Sequence, residues 1–169
     1  MQADRLRFPG MAPREILVFK NWLRTHEADY PKDLNAMVAV IGGPNNQPTV
    51  LEIPFDYNFR IGNGFDPGPA WPEEQRQNAI LNSKKRIDAL AYRAGQVSII
   101  EVKDRAILSA IGQLVSYRQL WRRDFPGTPI ETLILVANRV DPDTIHAAQE
   151  NGIRVDIFAT DFSSLRSPR

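Results

Sequence analysis

Residues 86–103 read RIDALAYRAGQVSIIEVK, and this stretch decides the fold. Two apolar runs, 87–92 and 97–103, flank Arg93-Ala94-Gly95-Gln96, the pattern of two strands joined by a tight turn. With two or four loop residues centred on Ala94-Gly95, paired positions sum to 189, so Asp88 faces Glu101. Direct cross-strand neighbours have Cβ atoms about 4.5–5.5 Å apart. Lys103, two residues past Glu101, shares its face. A three-residue loop would break this alignment. Like charges placed opposite each other destabilise a sheet, so something must compensate them. A hard divalent cation can, since Mg²⁺ is usually held by one or two carboxylates plus waters and substrate phosphate. Lys103 is a second positive charge, and beside a metal it can orient or deprotonate a water. A buried Asp–Lys–Glu ion network that only holds the hairpin would use the same three residues.

Downstream, 106–123 predicts a helix with Ile107, Ile111, Leu114, Val115 and Trp121 on its buried side, ended by Phe125-Pro126-Gly127. The run 131–137 is almost wholly apolar, a strand buried on both faces. Asp141 caps a helix that starts at Pro142 and ends before Gly152. A last strand follows at 153–158, then a frayed tail, 163–169. Upstream, Pro13 opens a helix to about Thr25, with Ile16, Phe19 and Leu23 at helical spacing. Runs 35–41 and 49–55 flank Gly42-Gly43-Pro44-Asn45-Asn46, a hairpin. Between 56 and 83, Gly62, Gly64, Pro67, Gly68, Pro69 and Pro72 break regular structure and leave room only for a short helix over 72–81. So long a loop is either functional or orders against a partner. Tyr57, Phe59 and Trp71 within it either stack on bases or pack the loop.

The 169 residues fit one domain, and 43% apolar with 24% charged residues suits an ordinary core. The absence of cysteine excludes disulfides, a thiolate zinc site and a cysteine nucleophile. His26 and His146 are too few for a multi-histidine metal centre and are expected at the surface. A Ser-His-Asp triad would also need a nucleophile elbow, which the sequence lacks. Gly62-Asn63-Gly64 has no third glycine at dinucleotide-binding spacing. No apolar run reaches the roughly 20 residues of a membrane helix, and MQADRLRFPG holds no secretory signal, so a cytoplasmic protein is expected. The net charge is +1, but 84–123 carries nine basic and three acidic groups, net +6. Such a block is either a phosphate-binding surface or a solvated face.

Ile87-Asp88-Ala89-Leu90 followed by Ile99-Ile100-Glu101-Val102-Lys103 resembles the PD-(D/E)XK nuclease signature: one Asp, then, 13 positions on, E-x-K after a β-branched run. The proline of the motif's name is absent; Arg86 and Ile87 precede Asp88. Gln113-Leu114-Val115-Ser116-Tyr117 is similar to the Q-L-x-x-Y form of several members, and Glu15 matches by position a first-helix Glu. The resemblance implies a mixed α/β, restriction-endonuclease-like αβββαβ core with an inserted hairpin and long loop before the acidic strand. Its parts are a first helix at 13–26, the insertion at 35–83, a catalytic core at 84–137 and a C-terminal helix and strand at 138–169.

It further implies Mg²⁺-dependent DNA hydrolysis, Mn²⁺ substituting, with structure- or end-directed cutting. Asp88, Glu101 and Glu15 would be metal ligands, Lys103 the catalytic lysine, and Gln113 would orient the water or a phosphate. Lys84, Lys85, Arg86, Arg105, Tyr117, Arg118 and Arg122 would contact DNA, with Arg123 beside them. A different reading makes the chain a phage head-completion or virion assembly protein that keeps a nuclease-like fold, found in the virion rather than the cytoplasm. A third makes it a restriction or transposition subunit. A homo-oligomer and a packaging assembly both stay open.

Overall fold

The computed structural model describes residues 8, 10–26 and 55–165. Helix α1 (Pro13–Thr25) comes first, then strand β1 (Phe55–Ile61) and helix α2 (Glu73–Ser83). Strands β2 (Lys85–Arg93) and β3 (Gln96–Ala106) lead into helix α3 (Leu108–Asp124). Strand β4 (Ile130–Val140), helix α4 (Pro142–Glu150) and strand β5 (Ile153–Ile157) complete the sheet, and a short 3₁₀ turn spans Ser163–Leu165. The expected helix, three strands, helix, strand is present as α1, β1, β2, β3, α3 and β4, with α2 between β1 and β2. The predicted strand at 35–41, and all but the last residue of the one at 49–55, lie outside the described residues.

One five-stranded mixed sheet runs in the order β1-β2-β3-β4-β5. The first three strands form an antiparallel meander, and β3, β4 and β5 are parallel. Parallel neighbours need crossovers, and α3 and α4 supply them. Both belong to one core, where Leu114, Tyr117, Trp121 and Ala148 meet Leu133, Leu135 and Ala137. On the opposite face Val18, Phe19 and Trp22 of α1 meet Ile100, Val102, Ile134 and Val136. The alternation along β4 explains why its sequence is nearly all apolar: each face has its own helical cover.

Ala94 and Gly95 have φ of 49° and 76° and form a two-residue turn of the kind that matches strand twist. The ladder beyond it pairs Arg93 with Gln96 and Ala89 with Ile100, the register read from the sequence. Asp141 caps α4 as expected, accepting from Thr144 N at 2.9 Å.

Three expectations are corrected. Residues 56–61 are not loop but strand, because Phe55, Tyr57, Phe59 and Ile61 alternate at period two and find cover. Tyr57 accordingly packs against Phe8 and Phe19, and Phe59 against Trp121 and Phe125, so neither ring is a free loop aromatic. Ile107 is 51% exposed, because α3 starts at Leu108, two residues later than expected, and leaves it as the cap position. His26 is half-buried, stacked on Trp22 with its ring 3.8 Å from Asp156; His146 is exposed as expected.

Candidate active site

The β2–β3 ladder stops at Ala89↔Ile100. Beyond it, β2 stays paired with β1 as far as Lys85, and β3 with β4 as far as Ala106. The two strands therefore fork at Asp88 and Glu101. The Asp88 carboxylate occupies the crotch, where its Oδ2 accepts from Val102 N at 2.8 Å. It thereby satisfies an N–H group on the strand that has parted from β2.

The fork has a local backbone cause. Tyr57 and Ala89 are paired and sit with the α1 core, whereas Phe59 and Ile87, the next pair but one, sit with the α3 core. Residues two apart on a strand ordinarily share a face. Between these pairs lies Asn58, whose φ of 52° is in the left-handed region that Asn tolerates better than most residues. The β1–β2 ribbon twists about Asn58 and Asp88, leaves β3 and wraps onto α3. Sequence reasoning missed Asn58; the aromatic alternation around it signals the strand, but nothing local signals the twist.

Glu101 and Lys103 share one face of β3, while Ile100 and Val102 between and beside them are buried against α1. Lys103 Nζ lies 2.5 Å from Glu101 Oε1, 3.7 Å from Asp88 Oδ2 and 3.9 Å from Glu15 Oε1. The structure thus gathers Glu15, Asp88, Glu101 and Lys103 from α1, β2 and β3. Glu15 is held by accepting from Ala12 N at 2.8 Å at the first turn of α1. That turn is tied down by Arg14, which pairs with Asp104 at 3.1 Å. Asp104 in turn accepts from Asn138 at 2.8 Å.

Glu101 is 1% exposed, and its Oε2 is buried without a hydrogen-bond partner. An unsatisfied buried oxygen costs about 1–3 kcal/mol, more if charged. Burial, then the Asp88 charge, pushes the Glu101 carboxyl up to about 8, and Lys103 offsets only part of this. Burial also raises Asp88, against the pull of Lys103 and Val102 N–H. Burial would lower Lys103, but the surrounding carboxylates outweigh it and hold the ammonium above its ordinary value. The donor chemistry fits a hard cation at Asp88 and Glu101, two carboxylates with a spare oxygen. Among the described residues no three carboxyl or imidazole groups stand at metal-ligand spacing; Glu15 faces the lysine.

Tyr117 Oη donates to Arg86 O at 2.7 Å and accepts from Gln113 Nε2 at 3.4 Å. The bond to Arg86 O, two residues before Asp88, sets the α3 pair Gln113–Tyr117 beside the acidic strand, and burial first, then the charges of Glu101 and Asp88, raises the phenol. Lys85, Arg86, Arg105 and Arg122 are exposed and Lys84 is half-buried. Arg118 is engaged in the fold: it donates to Asn151 O at 3.0 Å and ties α3 to the end of α4.

No protein-family model matches the chain, and no curated protein matches it. Among solved structures it is similar to a repair endonuclease from Pyrococcus abyssi, with 20% identity and a TM-score of 0.38 over 43% of this chain and 32% of that one. It is similar to EndoMS in its apo form, with 21% identity and a TM-score of 0.37 over the same shares, 43% and 32%. A protein of unknown function matches over 60% of this chain and 47% of its own, with 14% identity and a TM-score of 0.38. The chain spans about a third of the length of the first two. Among the described residues no helix is long and apolar enough to cross a membrane.

Proposed function

We propose that the chain is a Mg²⁺-dependent nuclease that hydrolyses DNA phosphodiester bonds, with Mn²⁺ able to substitute. One observation carries this reading: a fully buried glutamate with an unsatisfied oxygen shares a strand fork with a second carboxylate and a lysine. A protein that used this cluster only to hold a hairpin would gain nothing from the orphaned oxygen or from ending the ladder there.

Asp88 and Glu101 would hold the metal, while Glu15 faces Lys103 at 3.9 Å and would help to keep the ammonium in place. When bound, Mg²⁺ supplies Lewis-acid stabilisation of phosphate charge and a more acidic water. Lys103, kept cationic by its neighbours, donates to the attacking water or to a non-bridging phosphate oxygen. Hydrolysis joins the water oxygen to phosphorus and breaks one P–O ester bond, and a proton passes to the departing sugar oxygen. Gln113, on the bordering α3, orients the water or a phosphate oxygen through its amide. Lys84, Lys85, Arg86, Arg105 and Arg122 hold the backbone, and because phosphate contacts carry no sequence information this arrangement favours structure- or end-directed cutting.

The test is cleavage of plasmid and single-stranded DNA with Mg²⁺ or Mn²⁺. Wild type should cut, EDTA should stop it, and Lys103→Ala should lose about 10²–10³-fold in rate while melting as a folded protein. Folded wild type that leaves linear, nicked, branched and single-stranded DNA intact would overturn the reading.

A further inference from the structure

Past the fork, the twisted β1–β2 ribbon meets the C-terminal end of α3, and between them lies a groove of about 440 Å³. Arg60, Asn63, Ile80, Lys84, Asp124 and Phe125 line it. Arg60 stands directly opposite Arg86 across β1 and β2, a like-charged pair that destabilises a sheet unless an anion compensates it. Asp124 is already taken: it accepts from Gly62 N at 3.1 Å and from Arg123 at 2.6 Å. Among the described residues neither the Arg60 guanidinium nor the Lys84 ammonium comes within 4 Å of a carboxylate oxygen, although the Lys84 charge helps to hold the Asp124 carboxyl below its ordinary value. Phe65, two residues beyond the lining Asn63, is 67% exposed, and its backbone N–H donates to Oγ of Ser83, the residue before Lys84, at 2.6 Å.

We propose that this groove takes the sugar-phosphate backbone of a single-stranded DNA segment, with Phe65 stacking on one of its bases. The cation pair calls for phosphate, which any nucleic acid offers. The exposed ring calls for a base face, and a duplex hides its base faces within the stack. The inference deepens the proposed nuclease function and rests on it for where the strand leads. Lys84 is four residues from Asp88, about 13 Å of extended chain, so a strand in the groove runs on to the fork within a few nucleotides. The substrate is then DNA with a single-stranded or splayed portion beside the bond that is cut.

The experiment measures fluorescence anisotropy in EDTA, with oligo-dT and a blunt duplex of equal length, across a salt series. Wild type should prefer oligo-dT. Arg60→Ala/Lys84→Ala should weaken oligo-dT binding about tenfold or more and lower the log–log salt slope by about 1.4, two contacts at 0.7 each. Phe65→Ala should weaken it about tenfold with the slope unchanged, since stacking releases no counterions. Arg60→Gln/Lys84→Gln, which keeps the packing stems, repeats the charge loss if the alanine pair fails to fold. Equal affinity for the duplex, variants that bind like wild type, or a Phe65→Ala loss that is as large with heparin, which has no bases, would overturn the inference. If Mg²⁺-dependent cleavage is present but the oligo-dT preference is not, the groove inference fails alone. If the binding pattern holds and no cleavage occurs, the nuclease reading fails and the groove stands.

Discussion

At Ala94-Gly95 the β2–β3 hairpin closes on a two-residue turn, and every position from Arg93↔Gln96 to Ala89↔Ile100 pairs in register. At Asp88 and Glu101 the same two strands part, two carboxylates and an ammonium fill the gap, and one oxygen has no partner. The closed end is governed by local geometry: turn twist matches strand twist. The open end is governed by electrostatics and burial, and the fold accepts an unfavourable cluster there. The difference is what supports the proposed site, since a sequence that optimised only stability would have closed both ends.

The largest effect should come from removing one charge at the open end. Glu101→Gln should abolish metal-dependent cleavage yet stabilise the metal-free protein at neutral and alkaline pH. The Glu101 carboxyl is raised in the fold to about 8 from its ordinary 4.5, so the folded state binds more protons between those values. Stability then falls as pH rises through that window. Asp88 is shifted the same way, whereas the raised Lys103 contributes stability that is lost only above its ordinary 10.5. Thermal melts of metal-free wild type from pH 5 to about 8 should decline relative to Glu101→Gln; parallel curves would mean that the open end stores no such cost.

A smaller effect is expected at the hinge of the comparison. Asn58→Gly should fold and cleave nearly as wild type, because glycine accepts the φ of 52°. Asn58→Val should lose about 1–3 kcal/mol of stability. Cleavage should fall with it as Asp88 shifts. Equal behaviour of the two variants in melting and cleavage assays would show that the twist does not depend on this residue.

The smallest effect belongs to the closed end. Ala94 has a φ of 49°, unfavourable for a residue with a Cβ. Ala94→Gly should raise stability by about 0.5–1 kcal/mol in urea unfolding and leave cleavage unchanged. A drop in stability would mean that the alanine makes a contact worth more than the turn strain.

Much of the site was legible in residues 86–103. The turn residues fix the register by their own geometry; the expected direct pair Asp88–Glu101 does not form, because the ladder ends at Ala89↔Ile100, but both carboxylates lie beside Lys103. Strand β1 was less legible, because the Gly- and Pro-rich stretch after Gly62 masked the alternation of Phe55, Tyr57, Phe59 and Ile61. The basic residues were seen as a block along the chain, yet they divide in space. Arg118 braces α4, and Lys84 faces a groove with Arg60, which lies outside that block.

By itself the sequence determined what depends on neighbours along the chain: the helix at Pro13, the Ala94-Gly95 turn, the pairing register, the two-sided burial of β4 and the cap at Asp141. Only the tertiary structure decided where the ladder stops and what the fork contains. That outcome turns on one left-handed residue in β1, on which core each side of the twist can bury, and on the reach of Glu15 from a helix over 70 residues away. These are sums of distant packing and charge terms, and no local pattern encodes them.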